Sequence, residues 1–142
     1  MPKCRSRSLL CERRGSIARV VSPDVLLDAW DQSVDPTERL ARFNLAMAAE
    51  LGRFRDSLPG WARDYLRTAE QYWRGDDTRR NDLAAARQAS WDYLDAKHGS
   101  ALIVDDEDRL IRALLCLLYP DAEEDPGMTA AFFADMINGL DR

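Results

Sequence analysis

From Ser22 onward apolar residues recur at steps of three and four, and most of these runs are bracketed by residues that start or stop a helix. Ser22-Pro23-Asp24 supplies an N-cap, a proline at the first helical position and an acid in the first turn, ahead of Val25, Leu26, Ala29 and Trp30. Asp35-Pro36-Thr37-Glu38 repeats the signal and adds the glutamate of a capping box. The stripe it opens, Leu40, Phe43, Met47, Leu51, Phe54 and Leu58, predicts one long helix with a core face, ended by Pro59-Gly60.

A third helix is predicted from about Trp61 to Arg74, with Gly75 as its stop. Asp76 or Asp77 then caps a fourth, about Thr78 to Lys97, whose inner face carries Leu83, Ala86, Ser90 and Leu94, and Gly99 ends it. Residues 100–104 read either as a loop or as an early helical turn. Four successive acids, Asp105, Asp106, Glu107 and Asp108, load the start of a fifth helix that is apolar on nearly all faces as far as Tyr119, before Pro120. An acidic loop from Asp121 to Asp125 leads to a last helix, about Thr129 to Asn138. With no sustained period-two alternation and no repeat, the pattern predicts an all-α, single-domain bundle of about six helices.

Charge divides the chain. Residues 1–22 hold six basic side chains and one acid, a net +5, whereas the following 120 residues are net −10. The basic head has no secretory apolar core, and residues 1–21 are expected to form a poorly ordered arm ahead of a helical domain at 22–142. No stretch of 18 apolar residues occurs, so no membrane span is expected. Three cysteines without metal spacing (Cys4, Cys11, Cys116) suit a reducing cytoplasm, and Cys116, inside the apolar run 110–118, is expected to be a buried free thiol.

The inventory of reactive groups is short. His98 is the single histidine, and its place at a helix C-terminus suits capping better than general-base work. No nucleophile elbow, phosphate loop or zinc-spaced cysteine pair is present, so no catalytic residues, metal or cofactor are expected. Carboxylates are the one chemical resource in excess. Asp105 with Asp108, and Asp121 with Glu124, are spaced i, i+3, and paired acids on facing helices hold Mg²⁺ in all-α nucleotide pyrophosphohydrolases. Those enzymes carry Glu-rich pairs on helices, whereas three of these four positions are Asp and the second pair falls between two prolines. A helical oligomeric scaffold is a further alternative.

Binding is the stronger expectation. The 44 residues from Gly99 carry ten acids against three arginines, a net −7, which attracts basic partners and disfavours direct nucleic-acid contact. Trp91 and Tyr93 point about 200° apart on a helix, so both cannot face the core and one is a candidate surface anchor. The expected contact set is therefore Asp105, Asp106, Glu107, Asp108, Asp121, Glu123, Glu124 and Asp125, with Trp91 and Tyr93. The run Ala69-Glu70-Gln71-Tyr72-Trp73-Arg74-Gly75-Asp76-Asp77, followed by Leu83-Ala84-Ala85-Ala86-Arg87-Gln88-Ala89, resembles the aromatic-Arg-Gly turn and Ala/Arg-rich helix of small helical bacterial immunity proteins. The resemblance, over residues 69–103, implies a cytoplasmic protein that binds and neutralises a cognate toxin domain, and it carries no individual site residue.

Overall fold

The computed structural model describes residues 20–140 apart from 33, 100 and 122–124. The expected basic arm, together with Glu123 and Glu124, thus lies almost wholly outside the described residues. Six α-helices follow one another: α1 (Pro23–Asp31), α2 (Pro36–Gly52), α3 (Gly60–Trp73), α4 (Arg80–Lys97), α5 (Asp106–Leu115) and α6 (Pro126–Asn138). The described residues hold no strand, and none of their helices is long and apolar enough to cross a membrane. The chain is an all-α bundle, as its periodicity predicts.

Helix starts follow the capping residues closely. Ser22 Oγ accepts the Asp24 N–H at 3.2 Å, Asp35 Oδ1 accepts the Thr37 N–H at 2.8 Å, and Asp125 Oδ1 accepts the Met128 N–H at 3.0 Å. Each of these caps is followed by proline at the first helical position. The third case corrects the expected start of α6 from Thr129 to Pro126. Asp76 caps the 3₁₀ turn Asp77–Arg79 that leads into α4.

Two helices end earlier than their apolar stripes. α2 stops at Gly52, and a 3₁₀ turn (Arg55–Ser57) carries the chain on. Glycine costs about 1 kcal/mol inside a helix relative to alanine, and Pro59 pushes Leu58 out of the helical region, to φ −79° and ψ 144°. The stripe still serves the core, because Leu58 is buried and Phe54 packs against the same cluster. Arg55 reaches Glu70 on α3 at 2.8 Å and fastens the turn.

α5 ends at Leu115, and the chain tightens into i→i+3 bonds at Cys116, Leu117 and Leu118 instead of continuing to Tyr119. Side chains of other helices take the carbonyls freed there. Trp73 Nε1 donates to Leu117 O at 2.8 Å, and Arg87 Nη1 donates to Leu118 O at 3.1 Å.

The apolar reading of α5 is otherwise accurate. Every residue from Leu110 to Leu115 is buried, and α5 packs on α2, α3, α4 and α6. α1 closes the bundle against α2 and α6. Val21 belongs to the folded part: its N–H and C=O bond the side-chain amide of Asn138 at 2.8 and 2.9 Å.

Trp73→Phe keeps an aromatic ring in the core but removes the indole N–H and strands the Leu117 carbonyl in the interior. It is expected to lower unfolding free energy by about 1–3 kcal/mol, measured by urea titration, with helix content unchanged.

Candidate functional site

The described residues of the expected contact set are spread along α4 and do not form one cluster. Tyr93, Asp105, Glu107 and Asp108 gather at the C-terminal end of α4 around Lys97, with Asp106 in the first turn of α5. Asp121 sits at the other end of α4, 2.7 Å from Arg80, and Trp91 lies between, donating to the Tyr119 hydroxyl at 2.9 Å. Arg80 and Lys97 are the first and last residues of α4, about 25 Å apart along its axis. Asp105 and Asp108 are therefore not brought together with Asp121, and Glu124 lies outside the described residues.

The α4–α5 junction is built from a reciprocal cap. Asp105 Oδ1 accepts the Asp108 N–H at 2.9 Å, and Asp108 Oδ2 accepts the Asp105 N–H at 3.3 Å. Asp108 Oδ2 also accepts the Val104 N–H at 2.8 Å. Asp108 is fully buried, so it is not available as the docking group its sequence position suggests.

Lys97 reaches across from the last turn of α4. Its Nζ donates to Asp105 at 3.0 Å and Glu107 Oε1 at 2.8 Å, and stands 3.1 Å from Asp108 Oδ1. One ammonium thus serves three carboxylates. His98 is the C-cap residue of α4 as expected, but its ring turns to α5, with Nε2 3.6 Å from Asp108 Oδ2 and 4.0 Å from Asp105 Oδ2. His98, Asp105 and Asp108 have ligand atoms close enough to hold a metal ion, yet the Lys97 ammonium already lies against both carboxylates.

These contacts shift proton affinities. Burial pushes the Asp108 carboxyl up, but the Val104 N–H, the Lys97 ammonium and the Asp105 N–H outweigh it and hold it below 3.8. The Asp108 N–H, then Lys97, hold Asp105 below the same value. Burial alone would lower the Lys97 ammonium, and the bonds to Glu107, Asp105 and Asp108 overcome that and raise it above 10.5. The Tyr93 hydroxyl donates to Glu107, which raises the phenol above 10.0.

Two features of this end have only faint sequence signals. Leu102, Ile103 and Val104 form an irregular loop and are 54%, 41% and 61% exposed. The loop is held from inside: buried Arg112 donates Nη2 to Leu102 O at 2.9 Å, and buried Asp108 accepts from Val104 N–H. A run of three apolar residues outside any helical period was the available hint. Arg112, inside an apolar run, gave none.

Trp91 and Tyr93 are both half-buried and stand on different flanks of α4. Tyr93 packs on Trp61 with ring centroids 5.0 Å apart. Trp91 borders a cavity of about 590 Å³ that α2, α5 and α6 also line. Asp125 is engaged in capping α6. Cys116 is a free thiol, half-buried on the cavity wall instead of in the core.

Compared with protein-family models, with curated proteins and with solved structures, the chain matches none.

Lys97→Met leaves three carboxylates, one fully buried, without their ammonium. Breaking a buried ion pair costs about 3–5 kcal/mol, and partial exposure of Lys97 reduces this to an expected loss of about 2–3 kcal/mol in thermal or urea unfolding. The acid side follows from linkage. Carboxyls held below 3.8 in the folded state stabilise fully above that value, and the contribution disappears as pH falls through their lowered folded values. Stability should therefore fall below about pH 3.8, and Asp108→Asn should show a smaller drop between pH 7 and pH 3 than the parent. An equal drop in both would remove Asp108 from that account.

Proposed function

We propose that this chain is a non-catalytic binding module that neutralises a basic partner domain, the role its immunity-protein resemblance implies. The observation that carries the reading is the 102–104 loop. A buried charge is costly unless hydrogen-bonded, and here buried Asp108 and buried Arg112 each spend a hydrogen bond on the backbone of three outward-facing apolar residues. Such a loop meets a partner already ordered, which reduces the entropy lost on binding.

Charge selects the kind of partner. Lys97 sets one positive charge against the carboxylates of Asp105, Glu107 and Asp108, so the surface beside the loop stays negative. Asp105 is exposed, and Asp106 and Glu107 are half-exposed. An apolar tip flanked by acid suits an apolar cleft on a basic protein, with the acids raising the encounter rate and the loop slowing release. Asp121 lies at the other end of α4 and Trp91 on its opposite flank, so neither belongs to the same contact.

Expressing the gene product that adjoins this one in its genome, with and without this chain, tests the reading through host viability and co-purification. The wild-type chain is expected to restore growth and to bind. Ile103→Asp and Leu102→Ser, both on exposed positions, should weaken association at least tenfold at unchanged helix content, while raised salt slows association. A neighbour that is harmless alone, or that does not co-purify, would sink the proposal.

A further inference from the structure

The cavity on the far flank of α4 is distinct from the 102–104 loop and has a different chemistry. Its walls are Leu40 of α2, Trp91 of α4, Leu115 of α5, and Met128 and Phe132 of α6. Met128 is 69% and Phe132 40% exposed, so the cavity opens to solvent along α6. A volume of about 590 Å³ lies within the range of small-molecule sites, which are mostly apolar with a few fixed polar groups.

Two of the polar side chains that line this space are more than nine-tenths buried, whereas Asp121 stands exposed at its edge with its carboxylate paired to Arg80 at 2.7 Å. Asn44 is 3% exposed and Arg112 is 7% exposed. The amide of Asn44 is oriented by its Nδ2, which donates to Leu40 O at 2.9 Å in the preceding turn. That bond leaves Oδ1 as a buried acceptor with no donor. Buried acceptors in folded proteins are almost always satisfied, so this wall favours an occupant that brings an N–H or O–H. Arg112 adds a permanent cation, with Nη2 fixed on Leu102 O.

We propose that this cavity binds a small amphipathic acid: an apolar body between Leu40, Leu115 and Phe132, a carboxylate toward Arg112, and an adjacent N–H or O–H donor toward Asn44 Oδ1. N-acyl amino acids have this arrangement of donor, acid and chain. A plain fatty acid lacks the donor, and a fatty amine places a cation where Arg112 already stands. A ligand with a cationic head is therefore excluded by charge, and a pure hydrocarbon leaves Asn44 unsatisfied.

Calorimetric titration of the full chain with N-octanoylglycine, below its micellar range, tests the site, with octanoate and octylamine as the comparison probes. Saturable one-to-one binding is expected for N-octanoylglycine, at least tenfold weaker binding for octanoate, and none for octylamine. Arg112 also holds the 102–104 loop, so its substitution confounds folding with binding. The informative variants are Asn44→Leu, expected to abolish the preference for N-octanoylglycine over octanoate, and Thr129→Trp, expected to fill the mouth and remove binding of both. Saturating N-octanoylglycine should also slow alkylation of Cys116, read by peptide mass spectrometry. Absence of saturable binding, an unchanged preference in Asn44→Leu, or unprotected Cys116 would each overturn the proposal. A cavity that receives an apolar side chain of a partner protein would give the first of these results, with association instead weakened by Phe132→Asp. The 102–104 variants do not touch this cavity, so failure here leaves the binding-module reading standing.

Discussion

α5 is packed on by four other helices, and a short helix buried on every face must satisfy both of its ends from protein groups. Its N–H end is closed by the reciprocal bonds between Asp105 and Asp108, and its carbonyl end by the tight turn at 116–118, whose own carbonyls accept from Trp73 and Arg87 of α3 and α4. Each closure drags a neighbour into place. The acidic end requires a cation, and Lys97 at the last turn of α4 supplies it. The carbonyl end fixes the angle at which α3 and α4 approach, because an indole and a guanidinium can donate to Leu117 and Leu118 only from a narrow set of positions. Helices α3, α4 and α5 are in this sense one unit, held by its polar ends as much as by its apolar middle.

The legible part of the sequence is the part governed by local rules. Serine or aspartate before proline marks three helix starts, and the stripes from Leu40 to Leu58 and from Leu110 to Leu118 both end in the core. Helix ends were harder to read. At Gly52 and Leu115 the apolar spacing runs on through a tighter turn, since a 3₁₀ turn carries a side chain inward much as another helical turn would. The acidic run at 105–108 looked like one solvated face, and composition does not separate Asp108, fully buried, from Asp105, its exposed partner three residues earlier.

The site was legible as chemistry but not as geometry. A net charge counted over 44 residues merges groups that α4 holds apart at its two ends, so Asp121 and Asp105 share a sign without sharing a surface. Long-range contacts decided the rest. Arg112 and Asn44 are polar residues within apolar stretches, and only the packed bundle places one behind the 102–104 loop and both on the cavity wall. Tyr93 and Trp91 were separated correctly by angle, yet each found a hydroxyl or carboxylate partner that no helical wheel predicts.

Lys97 has one more consequence, which concerns reactivity. The chain carries two lysines against eighteen arginines, and the other lysine is Lys3. An arginine surface provides positive charge without a nucleophilic amine. The amine of Lys97 is held as an ammonium by three carboxylates, with its lone pair occupied by a proton. Among the described residues the folded protein therefore offers acylating reagents and reducing sugars almost nothing to attack. Acylation of Lys97 is disfavoured while its three ion pairs hold, and opening of the α4–α5 junction raises it.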